Sequence, residues 1–200
     1  METKSTVCKM WMMGMVLVIV ATGSAWARPD FVINAQPAAL LINAQGSFAV
    51  VGDDGSRTTL SSISMMPNVA AGLGFELSPF YVDVTAGAGL VVNSTFRSFM
   101  WDVQLAAMYV TSDSLSIGPH IGLITFTNPD WSADQDVTLT GKTGFLAGLQ
   151  ITMGDRIMYL VSVDFITASF GVATGEHFVA EKDTMDLKAL AVQFGVRGQF

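Results

Sequence analysis

The last fourteen residues, Leu187–Phe200, read LKALAVQFGVRGQF. Even positions from Leu190 through Val192, Phe194 and Val196 to Phe200 form an apolar face that ends in an aromatic. Odd positions from Ala189 through Ala191, Gln193, Gly195, Arg197 and Gln199 are polar or very small. Successive side chains of a strand point to opposite faces, so alternation over this length predicts a β-strand. The rest of the chain has to supply partners for that strand.

The same period recurs seven more times. The alternation predicts strands at about 40–51, 66–77, 80–92, 97–110, 115–126, 141–153 and 156–170, with 187–200 as the eighth. Short breaks at 78–79, 111–114 and 154–155 read as tight turns. They alternate with longer polar stretches at 52–62, 93–96, 127–140 and 171–184. An even number of antiparallel strands, with short turns at one end and long loops at the other, is the pattern of a bacterial outer-membrane barrel. The expected fold is therefore all-β: an eight-stranded antiparallel up-and-down transmembrane β-barrel over 39–200, with 28–38 as a short periplasmic lead-in.

The start of the chain agrees with export. Lys4 and Lys9 precede an apolar run from Met10 to Ala21, and Ala25-Trp26-Ala27 has the A-x-A form of a cleavage site. This predicts a secretory signal peptide over 1–27, cleaved to leave Arg28 first. The only cysteine, Cys8, lies within it, so the expected mature chain holds no disulfide. Cleavage lowers Lys+Arg from 10 to 8 and Asp+Glu from 17 to 16, a net charge of −8. An acidic chain without a basic cluster excludes nucleic acid as a partner. The mean hydropathy of +0.47 is high, yet after Ala27 no apolar run is long enough for a membrane helix. A barrel resolves that tension, because its strands are apolar only at alternate positions.

Alternation alone does not say which face points inward. Three features place the apolar face outside. The other face is rich in Gly and Ala, among them Gly72, Gly74, Gly87, Gly118, Gly122 and Gly148, as a narrow eight-stranded lumen requires. Aromatics gather near strand ends: Phe80, Tyr109, Tyr159 and Phe200 towards the tight turns, and Phe48, Phe99, Trp101, Phe145 and Phe165 towards the loops. Two such bands fit two membrane interfaces. The interiors of the expected lipid-facing strands also carry no charge.

On these residues the chain resembles the small outer-membrane barrels of the OmpA transmembrane, OmpW and opacity-protein kind. The closing strand with its final Phe resembles the last strand of that family. The resemblance implies that Phe200 is an assembly signal read by the barrel assembly machinery, that outer-membrane lipids are the fixed partner, and that the protein is porin-like. It implies a structural or surface-interaction role. Passage of small solutes, as suggested for OmpW-like barrels, or lipid A modification, are the alternatives.

Seven polar residues fall on the inward face: Glu76, Asp83, Asp102, His120, Lys142, Asp164 and Arg197. Charges in a small lumen must be paired or hydrated, which predicts an ion and hydrogen-bond network filling the barrel with polar side chains. Arg197 is expected to pair with Glu76 or Asp83, and Lys142 with Asp102 or Asp164. Acidic residues of the third loop (Asp130, Asp134, Asp136) and of the fourth (Glu176, Glu181, Asp183, with His177) match no cation-binding spacing, so no metal is expected. His120 shares a face with Ser116, but no nucleophile motif is present. Neither catalysis nor a cofactor is expected.

Overall fold

A computed structural model describes residues 28–43, 48–131 and 137–200. The expected signal peptide lies outside these residues. Thirteen strands appear among them. They are β1 (Asp30–Asn43), β2 (Ala49–Gly52), β3 (Arg57–Thr59), β4 (Ile63–Met65), β5 (Asn68–Leu77), β6 (Phe80–Val92), β7 (Phe96–Ser112), β8 (Leu115–Trp131), β9 (Val137–Thr140), β10 (Thr143–Gly154), β11 (Ile157–Thr174), β12 (Phe178–Ala180) and β13 (Thr184–Gln199).

Antiparallel pairing runs β1–β5–β6–β7–β8–β10–β11–β13 and returns to β1. The sheet is closed into eight staves. Two staves are interrupted near the loop end. β4 extends β5 beyond Met66-Pro67, and β9 extends β10 beyond Gly141-Lys142. Closure is completed by Phe31 and Phe200, whose backbone amides donate to each other's carbonyls at 2.8 and 3.0 Å. No unpaired stave edge is left facing the surroundings, the condition a strand-built membrane span must meet.

The expected strand at 80–92 matches β6, and the other staves differ mainly in length. The segment 28–38, expected as a lead-in, is strand from Asp30 onward. Pro37 hid it: the residue has no amide to give a ladder, and it sits where the β1–β13 register shifts between Ala35 and Ala38. The first stave correspondingly ends at Asn43, not Val51. Residues 49–52 belong instead to a separate three-stranded sheet, β12–β2–β3, at the loop end. The stretches 127–140 and 171–184 are largely strand too. Asn128, at φ 49°, and Pro129 read as loop residues but lie within β8. The 154–155 turn does use its glycine, since Gly154 has φ 127°, where an L side chain is strained.

The apolar face points outward. Val69, Trp101, Val103, Leu149 and Phe194 are each more than half exposed, and together with the other apolar side chains of this face they cover the wall. Burying such a band in hydrocarbon rather than water is strongly favourable at about 25 cal/mol per Å², so the wall is a membrane-facing surface. Outward charges near the loop end depart from the expectation of a charge-free wall: Arg97 on β7 and Asp186 and Lys188 on β13. Lys188 lies on the outer face of β13, in register with Thr167 and Phe145 near the loop end.

Candidate functional site: the barrel interior

The interior has two tiers. The tier at the turn end is polar and comes from inward positions of all eight staves. Arg197 of β13 donates through Nη2 to Asp83 Oδ2 of β6 at 2.8 Å, and both are buried. Its guanidinium also lies over the Tyr81 ring, 5.3 Å from the centroid. Asp102 of β7 accepts from Asn68 Nδ2 at 2.9 Å and from Gln104 Nε2 at 2.8 Å. Asp164 of β11 is the hub. His120 Nε2 of β8 lies 2.5 Å from one carboxylate oxygen, while Ser162 and Gln193 donate to the other at 2.8 and 2.6 Å. Asp164 and Arg197 each have 0% of their surface exposed. Water therefore reaches neither Asp164 in the middle of the barrel nor Arg197 nearer its turn end.

Glycines make room for this tier. Gly148 is the cross-strand partner of Asp164, and a Cβ built there would collide with that carboxylate. Gly87 stands likewise opposite Asp102, 2.7 Å from Cβ to carboxylate. A Cβ on Gly74 would meet the Tyr81 phenol. The Gly-rich inward face is thus the counter-shape of the buried acids and the phenol.

Two of the seven expected lumen residues fall outside the network. Glu76 is exposed at the turn-end mouth, one residue before the end of β5. Lys142 sits in the break between β9 and β10 and is exposed. It pairs with neither Asp102 nor Asp164. Those acids instead take neutral amides, a hydroxyl and His120. The amides and the hydroxyl satisfy a buried carboxylate without placing a second full charge in the wall. Tyr81, Asn68, Gln104, Ser162 and Gln193 lie on the predicted inward faces, so the alternation held their signal. Asn34 and Gln36 were hidden in the supposed lead-in.

The loop-end tier contradicts the expectation of a lumen filled by polar side chains. It is a packed apolar core that includes Phe96, Met100, Phe126, Leu146, Phe170 and Met185, all buried. Phe170 makes edge contacts with Phe96 and Phe126 at centroid distances of 5.3 and 5.2 Å. Phe48, expected in the outer aromatic band, is buried here against Trp131 at 5.5 Å. The other expected band residues face outward: Phe80, Tyr109, Tyr159 and Phe200 towards the turns, and Phe99, Trp101, Phe145 and Phe165 towards the loops. Phe80 and Tyr109 are cross-strand partners in edge contact at 5.6 Å.

A closed eight-stave barrel with an apolar outer wall, aromatic bands and a filled interior meets each requirement of a strand-built membrane span. It is an outer-membrane β-barrel. By the general arrangement of such barrels, the short turns face the periplasm and the long loops the cell exterior.

No protein-family model matches the chain, and no curated protein matches it. Among solved structures, the outer membrane protein OprG from Pseudomonas aeruginosa is similar at 13% identity, covering 86% of this chain and 95% of that one, with a TM-score of 0.49. Outer membrane protein AlkL is similar at 15% identity over 90% and 93%, TM-score 0.49. Neisserial surface protein A is similar at 12% identity over 85% and 97%, TM-score 0.47. The strand pairing and exposure of the chain itself, rather than these distant likenesses, carry the architecture.

At the loop end, the acidic fourth loop is knitted to the first. β12 pairs with β2, Arg57 Nη2 donates to Glu181 at 2.6 Å, and His177 Nδ1 lies 3.1 Å from Asp53. Asp54 accepts from the Ser56 amide, and bonds from Ser56 hold its carboxyl below the usual range. Asp130 of the third loop bonds Arg97 Nε at 2.7 Å, while Asp134 and Asp136 lie outside the described residues. Among the described residues, no group of three His, Cys, Asp or Glu could hold a metal ion.

Proposed function

We propose that the chain is a plugged barrel with a structural or surface-presenting role, without a catalytic or pore function. One observation carries this reading: Asp164, in the middle of the barrel, and Arg197, nearer the turn end, have no accessible surface. Sealing tiers of opposite chemistry, polar below and apolar above, leave neither ions nor apolar solutes a continuous route past them. The knitted loop-end sheet is the surface available to partners outside the cell. His120 supports the non-catalytic reading. It is buried against Asp164, whereas Ser116 lines the turn-end mouth four residues, roughly 13 Å of strand, away. Phe200, paired with Phe31 at the closing seam, fits an assembly signal, and the 1–27 segment fits export. Planar-bilayer recording of the folded protein tests the reading. Its membranes should show no stable conductance steps, and steps comparable to those of an open barrel of this size would replace the plug with solute passage.

A further inference from the structure

Near the loop end, one side of the outer wall changes character. Ile157 of β11 pairs with Gly198 of β13 at the turn end, and ten residues further up Thr167 pairs with Lys188. Ten residues of strand, at the tilt usual in such barrels, rise roughly 25 Å, the height of the apolar band of an outer-membrane barrel. Lys188 therefore stands where hydrocarbon gives way to headgroups. It is half-buried, so its stem runs along the wall and its ammonium reaches the interface.

Hydroxyls surround it on the same outward face. Thr167 is its cross-strand partner, and Ser169, two residues above, pairs with Asp186. On β10, Phe145 pairs with Thr167, and Thr143 stands two residues above Phe145. The Thr143 hydroxyl lies 3.1 Å from that of Thr125 on β8. Below this polar patch the wall is apolar and exposed at Phe145, Phe165 and Leu190. The other side of the barrel has no such step. Leu40 and Leu90, ten residues above Asp30 and Phe80 where their staves begin, are apolar and exposed.

The charges select what fits the patch. Among the described residues Lys188 makes no ion pair, whereas Arg97, the outward cation of β7, is held by Asp130 at 2.7 Å. A free ammonium at headgroup height calls for an anion carried by a lipid. Asp186, two residues or roughly 7 Å further up the same face, repels a second anion but accepts from hydroxyl groups. A phosphate attached to a sugar answers both, and a bare phospholipid phosphate answers only Lys188. We propose that the outward face of β10, β11 and β13 above Phe145 and Phe165 binds a phosphorylated glycolipid of the outer leaflet. Its phosphate sits on Lys188, its sugar hydroxyls on Thr143, Ser169 and Asp186, and its acyl chains over Phe165 and Leu190. The site lies wholly outside the barrel, so it stands whether or not the interior conducts.

The test uses the folded mature protein in neutral detergent micelles, titrated with lipid A and followed by native mass spectrometry, which counts bound lipids singly. Dephosphorylated lipid A and phosphatidylglycerol are the comparison ligands. Lipid A should bind in one saturable step. Loss of its phosphates should weaken binding by about fivefold, the worth of one cation beside an anionic headgroup. Lys188→Gln should weaken lipid A by the same factor and leave the dephosphorylated form unchanged, and Lys188→Arg should restore the loss. Thr143→Val together with Ser169→Ala should weaken both forms of lipid A and leave phosphatidylglycerol unchanged. Lys182→Gln, at an exposed position of the fourth loop, removes the same charge away from the wall and should change nothing. Equal affinity for lipid A and phosphatidylglycerol, binding without saturation, or equal losses from Lys182→Gln and Lys188→Gln would overturn the proposal and leave only ordinary annular lipid at this face.

Discussion

The two tiers of the interior fill the same tube by different physics. In the loop-end tier, Phe96, Phe126 and Phe170 interlock through edge contacts, and no member depends on one partner's orientation. In the turn-end tier every buried carboxylate depends on named donors, and each acid takes at least one donor or ion partner from another stave. Apolar packing loses free energy in proportion to what is cut away and how far the site relaxes. A polar network loses it in steps, because removing one partner strands another. The polar tier is also the one that borders a vestibule open at the turn end. Water at the turn end can therefore soften damage to Arg197, while the apolar tier has no such relief.

The largest expected effect tests the apolar tier. Phe170→Ala removes the ring that joins Phe96 to Phe126 and should cost about 3–5 kcal/mol, read as a fall in the urea midpoint of the barrel refolded in micelles. A shift of less than about 1 kcal/mol would mean that the tier collapses freely and is not close-packed. Next comes Arg197→Ala. A fully enclosed ion pair broken on one side costs about 3–5 kcal/mol, and access from the vestibule puts this one at the lower end. The paired change Arg197→Met with Asp83→Leu sharpens the comparison, because swapping both charges for apolar groups should restore most of the loss. A double variant as unstable as the single would show that the pair is held by geometry that apolar side chains cannot copy.

A third, smaller effect tests the fit between glycine and acid. Gly148→Ala places a methyl against the Asp164 carboxylate and the Val163 carbonyl, which is backbone and cannot swing aside. Overpacking of this kind should cost about 1–3 kcal/mol. Gly171→Ala is the control, since its Cβ would find only Thr140 at ordinary contact distance. Equal midpoints for the two variants would mean that the inward glycines are incidental to the network.

The polar tier and the outer wall were legible in the sequence because period-two alternation survives wherever one face is apolar and the other small or polar, as in β6 and β13. The apolar tier was not legible for the same reason. Near the loop end both faces are apolar, as in Phe99-Met100-Trp101, where Met100 points in and its neighbours out. Alternation carries no contrast there, so inward Phe126 and Phe170 could not be separated from wall residues. Glu76 and Lys142 were misplaced because one sits at a stave end and the other in the break between β9 and β10, where parity still holds but enclosure does not. Phe48 was assigned to a stave that ends before it. Placing Glu76, Asp83 and Arg197 near the same turns left either acid as the partner of Arg197, and enclosure selects Asp83, whereas the amide partners of Asp102 and Asp164 cannot be told from any other inward Asn or Gln without the register.

The smallest effect concerns the cap above the apolar tier. Arg57 and Glu181 join β3 to the β12 segment at 2.6 Å, with the two side chains 53% and 35% exposed. Exposed pairs are typically worth about 0–1 kcal/mol, screened by salt, so Arg57→Ala should move the urea midpoint far less than Arg197→Ala. The two pairs have nearly the same length and differ mainly in enclosure, so the contrast isolates what burial adds. Raising the salt concentration should erase what little the Arg57 pair contributes and leave the Arg197 effect in place. A large, salt-resistant loss at Arg57 would instead make the knitted loop sheet part of the barrel's core structure, and the loop end would then be a rigid lid over the apolar tier.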